Sequence, residues 1–145
     1  MSSRHTCSPR AAAHGFTLLE VLAACAVAGV LAAVAVPSYQ AHLRQAQRSD
    51  AVAALTRLQH AQEQYRAHYG MYADSLPALR GAPQGRSELG HYRLVLQRTE
   101  GEVYSARAEA LPHSPQAGDA ACLVLTLQVN AGFAQSGPSA RCWNR

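Results

Sequence analysis

The chain has 145 residues, a length suited to one domain with one core. Its formal charge is +4, carried entirely by arginine and no lysine; Arg4 and Arg10 precede Phe16, so the side chains from Phe16 onward carry only +2. That bias suits solubility and is too small to name nucleic acid as a partner, and the cysteines at 7, 25, 122 and 142 form no C-x-x-C and have no histidine at metal-ligand spacing, which argues against zinc.

Residues 1–15, MSSRHTCSPRAAAHG, form a short polar segment. Residues 16–36, FTLLEVLAACAVAGVLAAVAV, follow with a single charge, Glu20, and are about as long as a helix must be to cross a bilayer. A secretory signal would be cut after its apolar run, following small residues. Here Pro37-Ser38-Tyr39 follows and the helical pattern continues, so the run reads as retained. Charge does not fix its orientation, because Arg4 and Arg10 on one side are balanced by Arg44 and Arg48 on the other. A carboxylate within a span costs roughly 2.5–3.5 kcal/mol near the bilayer centre and less near an end. Two readings of Glu20 follow: an interfacial residue five positions into the run, or a buried carboxylate that awaits a cation from another subunit.

The stretch Gly15-Phe16-Thr17-Leu18-Leu19-Glu20-Val21 resembles the type IV prepilin cleavage and methylation motif. That resemblance implies a leader, residues 1–15, removed by a prepilin peptidase between Gly15 and Phe16, with Cys7 leaving in it. It further implies N-methylation of Phe16, and a Glu20 that neutralises the N-terminal amine of a neighbouring subunit during assembly. His14 stands where the family often has lysine or arginine.

Within the run, Ala24, Ala28 and Ala32, with Gly29 and Ala33, give small residues at four-residue spacing, suited to close packing between apolar helices. Cys25 among them reads as a small hydrophobe. Pro37 removes one intrahelical hydrogen bond and should kink the helix or else divide two helices. The resemblance implies one long helix whose stretch from Gly29 to Pro37 can lose helicity in the filament. Residues 37–69 form its amphipathic half. Val52, Leu55, Leu58, Tyr65 and Tyr69 recur at helical spacing, with Arg48, Arg57, Glu63 and Arg66 elsewhere on the cylinder. Gly70 supplies the stop.

Residues 71–86, rich in Pro and Gly, read as a loop. Tyr92, Leu94 and Leu96 then alternate with Arg93 and Gln97, and Tyr104, Ala106 and Ala108 with Ser105, Arg107 and Glu109; a turn at Glu100-Gly101 makes the pair a hairpin. Leu123, Leu125, Leu127 and Val129 form a further strand pattern, ended by Asn130-Ala131-Gly132. The expected fold is α+β: a long N-terminal helix packed on a three- to four-stranded antiparallel sheet, with residues 70–145 holding the αβ-loop, the sheet and a C-terminal disulfide region.

Cys122 and Cys142 bracket one C-terminal loop, and in an oxidising compartment they are the natural pair. Gln116-Ala117-Gly118-Asp119, Cys122 and Cys142-Trp143 are similar to the C-terminal region of PilE-type minor pilins. The expected function is therefore a structural one, a minor subunit of a type IV pilus. Such a subunit is single-pass in the inner membrane before assembly and extracellular afterwards. The resemblance implies other pilin subunits, the prepilin peptidase and the inner-membrane assembly machinery as partners, and adhesion, twitching motility or DNA uptake as filament roles. Two alternatives share the N-terminal motif: a pseudopilin of a type II secretion system, and a DNA-receptor pilin. For the latter, Arg141, Trp143 and Arg145 supply charge and one stacking ring, although a solvated chain end is the simpler reading. Seven scattered histidines, with no phosphate loop, nucleophile elbow or paired carboxylates, give no support to an enzyme. No cofactor is implied.

Overall fold

The computed structural model describes residues 16–99 and 102–145. The predicted cleavage point at Gly15, Cys7 and the predicted Glu100-Gly101 turn lie outside the described residues. The chain divides into two units, one ending at Ser38 and one running from Tyr39 to Arg145. Helix α1 (Leu18–Tyr69) holds Gly29 and Pro37 in its interior and does not end at the proline. Its C-terminus is closed by Gly70, whose φ of 73° is left-handed and whose N–H donates to the Arg66 carbonyl at 2.8 Å.

In the second unit, strands β1 (Tyr92–Thr99), β2 (Val103–Ala110), β3 (Val124–Asn130) and β4 (Phe133–Gly137) form one antiparallel sheet in chain order. The register puts Leu94 opposite Ala108, and Ala108 opposite Leu125; the next inward row sets Leu96, Ala106 and Leu127 side by side. Since side chains alternate across a sheet, Tyr92, Leu94, Tyr104, Ala106, Ala108, Leu125, Leu127 and Val129 all enter the core. Alanines on β2 and on α1 (Ala51, Ala54, Ala61) keep the layer between helix and sheet thin, and Leu55 and Leu58 fill it.

Of the expected stripe, Leu55 and Leu58 are buried and Val52 and Tyr65 pack against the core, but the buried face extends over alanines and leaves Tyr69 outside it. Ala51, Ala54, Leu55, Leu58, Ala61 and Gln62 are buried, whereas Tyr69 is 65% exposed and stacks on Tyr65 at 4.4 Å. Arg48, expected on the polar side, is buried together with Asp50. The alanines explain the shift: they carry little hydrophobicity, yet they alone let the helix lie close to the sheet. Gln62, fully buried, accepts from the Ala73 N–H (2.8 Å) and donates to the Ala73 carbonyl (3.0 Å), so one amide satisfies a loop peptide that would otherwise be buried unpaired. Tyr72 packs edge-on against Tyr104 at 4.7 Å.

Leu123, expected to open the third strand, is 40% exposed and precedes β3; its carbonyl accepts from the Ala110 N–H at 2.7 Å. Beyond β3, Ala131 (φ 47°) and Gly132 (φ 86°) form a two-residue turn in which both residues are left-handed, the arrangement that matches strand twist in a hairpin. It returns the chain as β4, an exposed edge strand without apolar alternation.

Candidate functional site

Two regions carry the features singled out in the sequence. The first is the start of α1. Thr17 caps the helix: its hydroxyl accepts from the Glu20 N–H at 3.2 Å, and its carbonyl accepts from the N–H groups of Glu20 (3.1 Å) and Val21 (3.2 Å). Thr17-Leu18-Leu19-Glu20 thus has the spacing of a capping box, and the Glu20 carboxylate sits in the first turn, where the helix dipole favours negative charge. The T-x-x-E pattern was the overlooked signal here, and it gives Glu20 a local role besides any intersubunit one. Around it Phe16, Leu18, Leu19, Val27, Val30, Leu31 and Val34 are exposed, and Cys25 is an exposed free thiol. α1 meets the length and composition needed to cross a membrane, and none of its most apolar window is buried.

The second region lies where α1 meets the C-terminal segment, inside the second unit. Arg48 and Asp119 form a two-pronged ion pair, Nε to Oδ2 at 2.6 Å and Nη2 to Oδ1 at 2.9 Å, with both side chains 6% exposed. Asp119 raises the Arg48 pKa, chiefly through this hydrogen bond, so the guanidinium stays charged despite burial. Its remaining nitrogen reaches the Arg141 carbonyl at 3.3 Å. Gln116, also buried, donates to Gln47 Oε1 (2.7 Å) and the Arg44 carbonyl (3.3 Å), and accepts from the Tyr92 hydroxyl (2.9 Å). Asn144 donates to the Gln45 carbonyl at 3.2 Å. Cys122 and Cys142 are disulfide-bonded, as expected, and close this segment. Together these bonds fix the helix turn at 44–48 to both sides of the disulfide.

Above the ion pair lies a groove of about 370 Å³ bordered by His42, Arg44, Arg48, Asp119, Arg141 and Arg145. Trp143 is not available to stack on a base. It is 5% exposed, its indole N–H donates to the Gly137 carbonyl at 2.8 Å, and the Arg145 guanidinium lies 5.8 Å from its ring centroid. Of the three residues considered for DNA, two keep exposed charge and the ring belongs to the core. Arg44 and Arg48 join them only through tertiary folding, which no local pattern announced.

Residues 10–36 match the family model of the prokaryotic N-terminal methylation motif. Residues 37–126, well over half of the chain, match the family described as type IV minor pilin ComP, DNA uptake sequence receptor. The chain belongs to this minor-pilin family. Its similarity extends to a curated relative, the type IV major pilin protein PilE1 of Neisseria gonorrhoeae, with 38% identity over 64 residues. That match spans 44% of this chain and 30% of the relative, less than a third of its length. In the pilin, the methylation-motif match ends at Val36 and the minor-pilin match begins at Pro37, within two residues of the division between the two structural units.

Proposed function

We propose that this pilin is a minor subunit of a type IV pilus, made as a membrane-anchored precursor and carried into the filament by its N-terminal helix. The observation that carries this reading is the run at 16–36: apolar side chains exposed along its length, one carboxylate at Glu20, and a methylation-motif match across it. Such a surface is stable in lipid or against other apolar helices and in neither case in water. In this scheme the prepilin peptidase cuts between Gly15 and Phe16 and methylates Phe16, and Glu20 pairs with the amine of a neighbour's first residue. The stretch from Gly29 to Pro37 loses helicity as subunits pack. The formed Cys122–Cys142 pair favours the pilus group over a secretion pseudopilin.

The test has two readouts. Mass spectrometry of the membrane form should give an N-terminus at methylated Phe16; an N-terminus at Met1 or after Pro37 overturns the processing scheme. Glu20→Ala should insert normally, because losing a carboxylate makes the run more apolar, yet fail to enter sheared filaments. Leaving a buried ammonium without its partner costs about 3–5 kcal/mol at each such contact. Full incorporation at wild-type expression would reduce Glu20 to an interfacial residue in the first turn of α1.

A second reading, that the pilin takes up DNA, is favoured by the description of its family and by the exposed arginines beside the disulfide. With Trp143 buried, contact would run through phosphates. Duplex affinity should then fall linearly in log–log with salt, and each contacting arginine removed should lower the slope by about one.

A further inference from the structure

We infer that the groove between α1 and the C-terminal turn binds the phosphate of an anionic phospholipid headgroup while the pilin is still in the membrane. The inference rests on residues 16–36 crossing the bilayer and is independent of the DNA reading, although the two share Arg141 and Arg145.

Three observations converge. The first is charge. Arg44, Arg48, Arg141 and Arg145 line the groove against one side-chain carboxylate, Asp119, and that carboxylate is consumed by Arg48. Arg44, Arg141 and Arg145 are exposed and have no ion pair among the described residues. A guanidinium fork matches a phosphodiester, and several converging forks match it better than a carboxylate. The second is rigidity. The Arg48–Asp119 pair, the Gln116 bonds and the disulfide hold the two walls together, so the backbone from which the arginines project is fixed before any ligand arrives. The third is position. Ala41, the first residue lining the groove, follows Val36 by five residues, so connectivity alone keeps it within about 18 Å of the end of the apolar run. The headgroup layer is about 5–7 Å thick on each side of the hydrocarbon. Connectivity thus allows the groove to begin at that layer, where cationic side chains are drawn to anionic lipid. A bound headgroup would hold the globular unit against the membrane and would be released when the helix is extracted into a filament.

The experiment uses the full chain in lipid nanodiscs made of phosphatidylcholine with a minor share of phosphatidylglycerol. After gentle detergent extraction, native mass spectrometry reads which lipids remain bound. Wild type should retain phosphatidylglycerol well above its bulk share, and the triple variant Arg44→Gln, Arg141→Gln, Arg145→Gln should lose that enrichment. Each arginine removed singly should lower it by about fivefold. An intact disulfide and an unchanged thermal unfolding midpoint show that the variant is folded. Enrichment that is absent in wild type, or equal in the triple variant, overturns the inference. So does a triple variant that loses duplex-DNA affinity while keeping phosphatidylglycerol, which would make the groove a nucleic-acid site. A chain that fails to incorporate into the discs overturns the membrane reading beneath both the anchor and the groove, and is told apart from the other failures by flotation.

Discussion

Arg48 and Tyr104 show the two outcomes of burying a polar group. Arg48 brings its whole charge into the interior, but Asp119 answers it with two hydrogen bonds and the Arg141 carbonyl takes a third. Removing one side of such a pair strands the other, so Arg48→Ala should destabilise the domain by about 3–5 kcal/mol. Replacing Arg48 and Asp119 together by Met and Leu should cost far less, because nothing charged is then left behind. Tyr104 is the opposite case. Its ring is fully buried, and among the described residues its hydroxyl has no hydrogen-bond partner. Tyr104→Phe deletes a group that was desolvated without compensation and should be neutral or stabilising by about 1 kcal/mol. Thermal unfolding of the three variants checks the contrast; a large loss in Tyr104→Phe would mean that its hydroxyl is satisfied.

Among the elements, the hairpin of β3 and β4 turns on Ala131, a residue with a Cβ at φ 47°. That conformation costs an ordinary L-residue about 1–2 kcal/mol, while Asn tolerates it and Asn-Gly is the favoured pair for this turn. Ala131→Asn, before Gly132, should therefore stabilise the hairpin by about 1 kcal/mol, read as a higher denaturant midpoint at unchanged slope. Gly137, at the end of β4, behaves differently: a Cβ there would fall 2.7 Å from the Thr126 hydroxyl, so Gly137→Ala requires Thr126 to rotate or the edge strand to shift. The disulfide closes a loop 20 residues long in sequence separation, worth about 3 kcal/mol through the unfolded state. Reduction should lower stability by that order, and most of all in the segment carrying Arg141 and Asn144, which the bridge ties to the helix.

For the whole molecule, the buried tyrosines set an upper pH limit. Burial pushes the Tyr92 hydroxyl up to about 12, with the negative charge of Asp119 adding to the shift, and burial raises Tyr104 as well. Because the folded pKa values lie above the unfolded value of about 10, this contribution is complete below pH ~10 and is lost as pH climbs through the folded values. Urea midpoints should hold steady up to about pH 10 and fall beyond it, and Tyr104→Phe should remove part of the fall. A midpoint that declines instead between neutrality and pH 9 would place the responsible groups elsewhere.

What the sequence determined by itself was whatever depends on local order. The apolar run with its single carboxylate, the Gly70 stop and the alternation in β1 and β2 each carry their physics in neighbouring residues, the cysteines bracket one short loop, and the family resemblance rests on the motif at residues 15–21. The Thr17 cap before Glu20 is equally local. Other features were decided only in three dimensions. β4 has no alternation to read, because an exposed edge strand needs only the hairpin turn and a partner's hydrogen bonds. The buried stripe of α1 runs along alanines, because the sheet selects for close approach over hydrophobicity. Arg48 and Asp119 lie 71 residues apart, and pairing them is what makes burial of either affordable. The same fold gathers Arg44, Arg141 and Arg145 along one groove and turns Trp143 inward. Sequence spacing records which side chains are present; only the packing of helix against sheet decides which charges meet, because electrostatic pairing and desolvation act through space and not along the chain.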